Sequence, residues 1–172
     1  MGGFSFLKPP FFMLICFYMQ TIKEFMQEDH KGLDGLFGKF KKLKDENPQE
    51  AKQNFCPFRR GLFSHIEWEE KILFPIFEEK TGMKDNGPTS VMRAEHLEIK
   101  DLLDRIREKI KAGDFNVDEV EARLGEVLKE HNNKEEHILY PWIDQSIEHK
   151  EKEDILKRIK EMTPPHTCGC AH

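Results

Sequence analysis

Two stretches of this chain, HIEWEEKILFPI (65–76) and HNNKEEHILYPW (131–142), carry one pattern: His, three residues, Glu-Glu, one residue, Ile-Leu, an aromatic and Pro. His65 and His131 are 66 residues apart, and so are His30 and His96. At the same offset Met26 matches Met92, Leu33 matches Ile99, Leu36 matches Leu102, and Leu62 matches Leu128. Glu69, Glu70 and Pro75 likewise match Glu135, Glu136 and Pro141. A duplicated unit of this kind must fold the same way twice, and each copy reads as a helical hairpin.

Turn residues divide the chain accordingly. Asn47-Pro48 reads as an N-cap and first helical residue, with Glu50 in the first turn. Thr81-Gly82 and Asn86-Gly87-Pro88 separate the halves, Ala112-Gly113-Asp114 ends a third helix, and Asn116 with Glu119 resembles a capping box opening a fourth. Helices are expected over 19–46, 48–81, 88–112 and 116–147, with a shorter one over 149–162. Short connections make neighbours antiparallel, so the fold expected is all-α, an antiparallel up-down four-helix bundle with a short additional C-terminal helix. Residues 1–18 read as an apolar extension, with Met19 as an alternative initiator; 19–148 form the bundle and 149–172 a helix with a Cys/His tail.

Steps alternating three and four residues trace the buried stripe of each helix. The first stripe is Met26, His30, Leu33, Phe37, Phe40, and the second Leu62, His65, Glu69, Ile72, Ile76. The third is Met92, His96, Ile99, Leu103, Ile106, Ile110, and the fourth Leu124, Leu128, His131, Glu135, Ile138, Trp142. Each apolar seam is interrupted by histidine, and two add a glutamate one turn later, so His30, His65, Glu69, His96, His131 and Glu135 point inward at one level. Removing one carboxylate from water costs several kcal/mol, against about 5–15 kcal/mol for the stability of a whole domain. Metal coordination compensates, because neutral imidazole and carboxylate are ligands and cations cancel the charge. No cysteine belongs to the set, which argues against a thiolate zinc site or an iron–sulfur cluster and leaves iron, manganese or zinc. Six donors exceed the need of one small cation, and the two-fold repeat makes the site dinuclear, with Glu69 and Glu135 as bridges. Of about twelve coordination bonds for two octahedral ions, the side chains supply about eight and an oxo or hydroxo bridge about two, leaving about two for exogenous ligands.

These residues resemble the hemerythrin family, specifically the bacterial and archaeal domains with the HHE cation-binding signature, over about 19–147. The likeness rests on His30, His65 with Glu69, His96, His131 with Glu135, and both EE-x-IL-[FY]-P segments. It implies a non-haem centre of two iron ions, one on His30 and His65, the other on His96 and His131. It further implies binding of O2 or a related small oxidant for sensing, storage or delivery. Alternative readings are a redox enzyme reducing NO, peroxide or O2, iron donation for iron-site repair, and iron sensing or storage. Oxygen-carrying members have a fifth His where this chain has Lys100, and usually Asp in place of Glu135, so simple oxygen carriage is not implied. Asp34, the repeat partner of Lys100, is a candidate supplementary ligand or an edge charge. His137 lies about 200° round the helix from Glu135 and faces away. Glu70 and Glu136 read as outer-face or supporting groups, Pro75 and Pro141 as openings in their helices. Tyr140, Trp68 and Trp142 read as packing residues, an aromatic beside iron being also an electron donor.

Composition narrows the remaining classes. The net charge of -5 without a basic block leaves no electrostatic footprint for nucleic acid. The apolar run FFMLICFYM falls short of the roughly 20 residues a membrane span needs, and no small-residue cleavage site follows it, so a cytoplasmic protein is expected. Cys16, Cys56, Cys168 and Cys170 form no disulfide framework, and reduced thiols are expected. Cys168 and Cys170, between His166 and His172, could bind metal or pass electrons. The charged last helix reads as a solvated amphipathic face or a docking surface for a signalling partner, and a redox partner protein is a further expectation.

Overall fold

The computed structural model describes residues 20–162. Helix α1 spans Ile22–Leu43, its start fixed by a capping box in which Thr21 Oγ1 accepts from Glu24 N–H and Glu24 accepts from Thr21 N–H. Helix α2 (48–81) begins on Asn47, which caps Glu50 N–H, and runs as Pro48–Trp68, a π-helical turn Glu69–Leu73, and Phe74–Thr81. It ends at Gly82, whose φ of 73° suits glycine. Helix α3 spans Pro88–Lys111. Helix α4 (118–146) repeats the plan of α2, as Asp118–Lys134, a π-helical turn Glu135–Leu139, and Tyr140–Ser146. A shorter α5 spans His149–Glu161. Helix is the only regular secondary structure among the described residues, with α1 packed on α2, α3 on α4, and the halves joined through α1 with α4 and α2 with α3.

Three boundaries differ from the sequence expectation by two or more residues, the first being the start of the first helix, at Ile22 after the Thr21 cap instead of at 19. The first helix stops at Leu43, because residues 44–46 close into a turn with Asn47 N–H on Leu43 O at 2.7 Å. The fourth starts at Asp118 with no side-chain cap, since the Asn116 N–H is taken by Asp114 Oδ1 and Val117 occupies the cap position.

The π-helical turns correct the buried stripes. Phe74 N–H bonds Glu69 O and Tyr140 N–H bonds Glu135 O, five residues back. Pro75 and Pro141 follow at once and bring no N–H to a helical ladder. Each turn uses one extra residue, so the inward face beyond it moves on by one. Ile138 is 56% exposed and Trp142 36% exposed, while Leu139, Tyr140 and Ile143 are buried in their place. In α2 the inward residues past the turn are Phe74 and Phe77, and Ile76 is half-buried.

Apolar packing forms two clusters separated by a polar level. One holds Phe37, Phe40, Phe55, Phe58, Ile106 and Leu124; the other holds Ile22, Met26, Phe77 and Ile143, closed by Ile155, Leu156 and Ile159 of α5. Along α1, His30 falls between Met26 of one cluster and Leu33 of the other, and along α3 His96 falls between Met92 and Ile99. Among the described residues no helix is long and apolar enough to cross a membrane. The apolar extension, Met19, Cys16, and the tail with Cys168 and Cys170 lie outside the described residues; Cys56 is half-buried.

Candidate metal centre

The six inward groups come together at the polar level. Glu69, His96 and Glu135 have no exposed surface, and His30, His65 and His131 are at most 4% exposed. Their donor atoms form two groups, each with all atoms within 4.8 Å of one another: Glu69, His96, His131 and Glu135 in one, and His30, His65 and Glu135 in the other. Glu135 belongs to both, with Oε1 3.0 Å from His131 Nε2 and Oε2 3.5 Å from His30 Nε2. Glu69 places Oε2 3.1 Å from His96 Nε2 but 3.8 Å from His65 Nε2. The two carboxylates are therefore not equivalent, although the repeat makes them counterparts.

Four carboxylates behind the ring hold the imidazoles in place. His30 Nδ1 meets Glu136 Oε1 at 2.8 Å, and His96 Nδ1 meets Glu70 Oε1 at 2.9 Å. His65 Nδ1 meets Asp29 Oδ2 at 2.8 Å, and His131 Nδ1 meets Glu95 Oε2 at 2.9 Å. A carboxylate accepts only, so each Nδ1 carries the proton and turns a bare Nε2 inward. Glu70 and Glu136, read as outer-face or supporting groups, each hold one imidazole. Asp29 and Glu95 were missed, yet they too stand 66 residues apart, each just before the histidine on the first helix of its hairpin; that offset was the available signal. Lys100 Nζ donates to Glu70 Oε1 at 3.0 Å, Lys134 pairs with Glu95, and Gln27 Nε2 donates to Glu136 at 2.8 Å.

The inward faces are not satisfied by one another. His30 Nε2 and His65 Nε2 lie 3.0 Å apart, two lone pairs in opposition unless a proton or cation stands between them. Glu69 Oε2, His96 Nε2 and Glu135 Oε1 are buried without a hydrogen-bond partner, although His96 and Glu69 approach to 3.1 Å. Ligand atoms about 2.1 Å from one ion lie about 3 Å apart when adjacent, so these spacings and orphaned atoms fit cations. Without cations, protons substitute. Burial alone would lower His30, but its contacts with Glu135 and Glu136 push it up to about 9, and Glu69 and Glu70 do the same to His96, also about 9. Burial would raise Glu70, but His96 and Lys100 bring it down to about 2. Burial would likewise raise Glu135, yet His131 and His30 hold it well below the carboxylate range.

Tyr140, expected as packing, enters the site itself. Its hydroxyl donates towards Glu69 Oε1 at 2.8 Å and Glu135 Oε2 at 3.1 Å, and lies 3.2 Å from His65 Nε2. Burial and the two carboxylate charges push the phenol well above its ordinary value, so without cations it is a donor. Its repeat counterpart, Phe74, stacks on His96 with 5.7 Å between ring centroids. The other aromatics do pack: Trp68 against Phe25, and Trp142 edge-on against Phe77. His137 faces outward, its Nδ1 on Asn133 O at 2.9 Å, and the exposed Asp34 joins neither donor group.

Comparison with known proteins agrees with this arrangement. Residues 21–143 match the family model of the hemerythrin HHE cation binding domain. An iron-sulfur cluster repair protein YtfE of Edwardsiella ictaluri is 42% identical over 60 residues, 35% of this chain and 27% of that protein. An uncharacterized hemerythrin-like protein of Schizosaccharomyces pombe is 25% identical over 157 residues, 90% of this chain and 76% of that protein. A DNA nickase of a Nostoc species is 26% identical over 140 residues, 81% of this chain and 38% of that protein. The chain therefore spans about a quarter of the YtfE protein's length, and no solved structure matches. A buried His/Glu cluster able to hold metal, set in a helical bundle and matched along 21–143, makes this chain a member of the hemerythrin HHE cation-binding family.

Proposed function

We propose that this chain is a non-haem di-iron protein that binds O2 or a related small oxidant for sensing, storage or delivery. The observation that carries this reading is the set of buried inward atoms without hydrogen-bond partners, Glu69 Oε2, His96 Nε2 and Glu135 Oε1, within two overlapping donor groups. His30 and His65 would hold one iron and His96 and His131 the other, with Glu135 shared and Glu69 beside it. Iron there would supply one-electron redox chemistry and open coordination positions for a small exogenous ligand. The protein's part is to orient and to exclude. The carboxylates Asp29, Glu70, Glu95 and Glu136 fix the tautomer of each imidazole and raise its basicity as a ligand. Near-complete burial keeps bulky organic substrates from the donors and favours ligands of a few atoms. A groove of about 660 Å³ between α1 and α4 runs past Asp34, Lys41 and Asn133 to Glu136, one hydrogen bond from His30, and suits as an approach.

A second reading, iron donation in repair of damaged iron sites, is favoured by the likeness to the iron-sulfur cluster repair proteins YtfE, which match over about a third of this chain. One experiment separates the two. Anaerobically purified protein is loaded with iron, quantified, and titrated with O2 and then NO while its optical spectrum is followed. A reversible spectral change at two irons per chain supports oxidant binding. Irreversible oxidation, with iron passing to an apo iron–sulfur protein, supports repair.

A further inference from the structure

The two donor groups are unequal. One has four side chains, Glu69, His96, His131 and Glu135; the other has three, His30, His65 and Glu135, because Glu69 leans towards His96 and turns Oε1 to the Tyr140 hydroxyl. We propose, resting on the dinuclear reading above, that the phenol oxygen of Tyr140 is the fourth protein ligand of the His30–His65–Glu135 position.

Three observations converge on that oxygen. Its spacing from His65 Nε2 and Glu135 Oε2, 3.2 and 3.1 Å, is that of adjacent ligands around one ion. Its neighbours ask more than one proton can give, since a phenol has a single O–H, while two carboxylate oxygens and a bare imidazole nitrogen surround it. Its backbone position is set for the purpose: the i→i+5 bond from Tyr140 N–H to Glu135 O stacks Tyr140 above Glu135, so both face inward, whereas an ordinary helix would turn residue i+5 about 140° away. The same turn in α2 presents Phe74, which lies flat on His96 and offers no donor atom. The duplication thus supplies the internal control: the position with four other donors has phenylalanine, and the position with three has tyrosine. Tyrosine is an established ligand type for iron. On binding, the phenolic O–H is exchanged for an O–iron bond, the proton leaves to solvent, and no electron moves.

The test compares the wild-type chain with Tyr140→Phe, the residue the first repeat itself uses, each loaded anaerobically with iron(II) and then oxidised. Iron per chain is measured by mass spectrometry, and phenolate-to-iron(III) charge transfer by visible absorption and resonance Raman. The wild type is expected to hold two irons with phenolate vibrations in its Raman spectrum. Tyr140→Phe is expected to hold one iron and to lose those vibrations while keeping its helical circular dichroism. Two irons in both proteins, with no phenolate vibrations in the wild type, would overturn the proposal and leave the dinuclear reading standing. Fewer than two irons in the wild type would overturn both. Should Tyr140→Phe fail to fold, the wild-type Raman spectrum decides alone, by the presence or absence of phenolate modes.

Discussion

The two hairpins carry the same scaffold and differ where it meets chemistry. Both place a histidine on each helix, a glutamate after the second histidine, and an acidic residue behind every imidazole: Asp29 and Glu70 in one half, Glu95 and Glu136 in the other. The cross-bracing follows the symmetry too. Asp29 and Glu95 brace histidines within their own hairpin, and Glu70 and Glu136 reach across to the opposite one. The halves part at Phe74 against Tyr140, at Asp34 against Lys100, and in the lean of Glu69 against the central Glu135. The contrast teaches that the inward histidines and the carboxylates behind them follow the repeat as one unit, while the groups around them differ between halves.

The strongest way to break that symmetry is to remove its counterparts one at a time. Glu135→Ala, which takes a donor from both groups, is expected to abolish binding of both irons; Glu69→Ala, which touches one group, should leave about one iron per chain. Equal losses in the two variants, by elemental analysis, would show that the lean of Glu69 has no consequence. Next come the braces. Asp29→Asn and Glu95→Gln should each weaken iron binding roughly 10–100-fold in a competition with chelators, and by similar factors, because both brace one second-hairpin-helix histidine. A difference of more than about tenfold between them would put the inequality of the halves in the supports as well.

Protonation gives a smaller, graded effect. With His30 and His96 near 9 in the metal-free chain, against an ordinary 6.5, their contribution to stability is full below about pH 6.5 and fades as pH rises through 9. Denaturant midpoints of metal-free protein should therefore fall between pH 6.5 and 9. Iron uptake at pH 7 should release protons, because bound imidazole must be neutral. A flat stability profile together with proton-free uptake would contradict these assignments. The smallest effect is expected at the margin. Lys100→Ala removes a partly exposed ion pair with Glu70 and should cost no more than about 1 kcal/mol, with iron content unchanged. Loss of an iron would instead make Lys100 part of the site.

Much of the bundle was legible because the signals were redundant. The 66-residue offset, Asn47-Pro48, Thr81-Gly82 and the polar interruptions of each seam all pointed to four helices with six inward groups, and those groups do converge. What escaped depended on local geometry that residue type does not encode. A constant helical period placed Ile138 and Trp142 inside, and only the wide turn after Glu135 brings Leu139, Tyr140 and Ile143 in instead. The proline at 141 hinted at an opened helix but not at its direction. Asp29 and Glu95 resembled the many other surface acids, because their role comes from reaching across to a neighbouring helix. Tyr140 reads as a packing residue or, beside iron, an electron donor, and its hydrogen bonds to both glutamates follow only from the wide turn.

The wide turns also make the segment from His131 to Pro141 sensitive to its length in whole residues. Inserting one residue between Glu135 and Tyr140 would swing everything beyond by about 100°, carrying the aromatic column off the donors with every residue of the ring still encoded. Conservative replacements of the outward His137 and Ile138 keep that phase, so these positions should accept new side chains far more readily than the turn accepts an added residue.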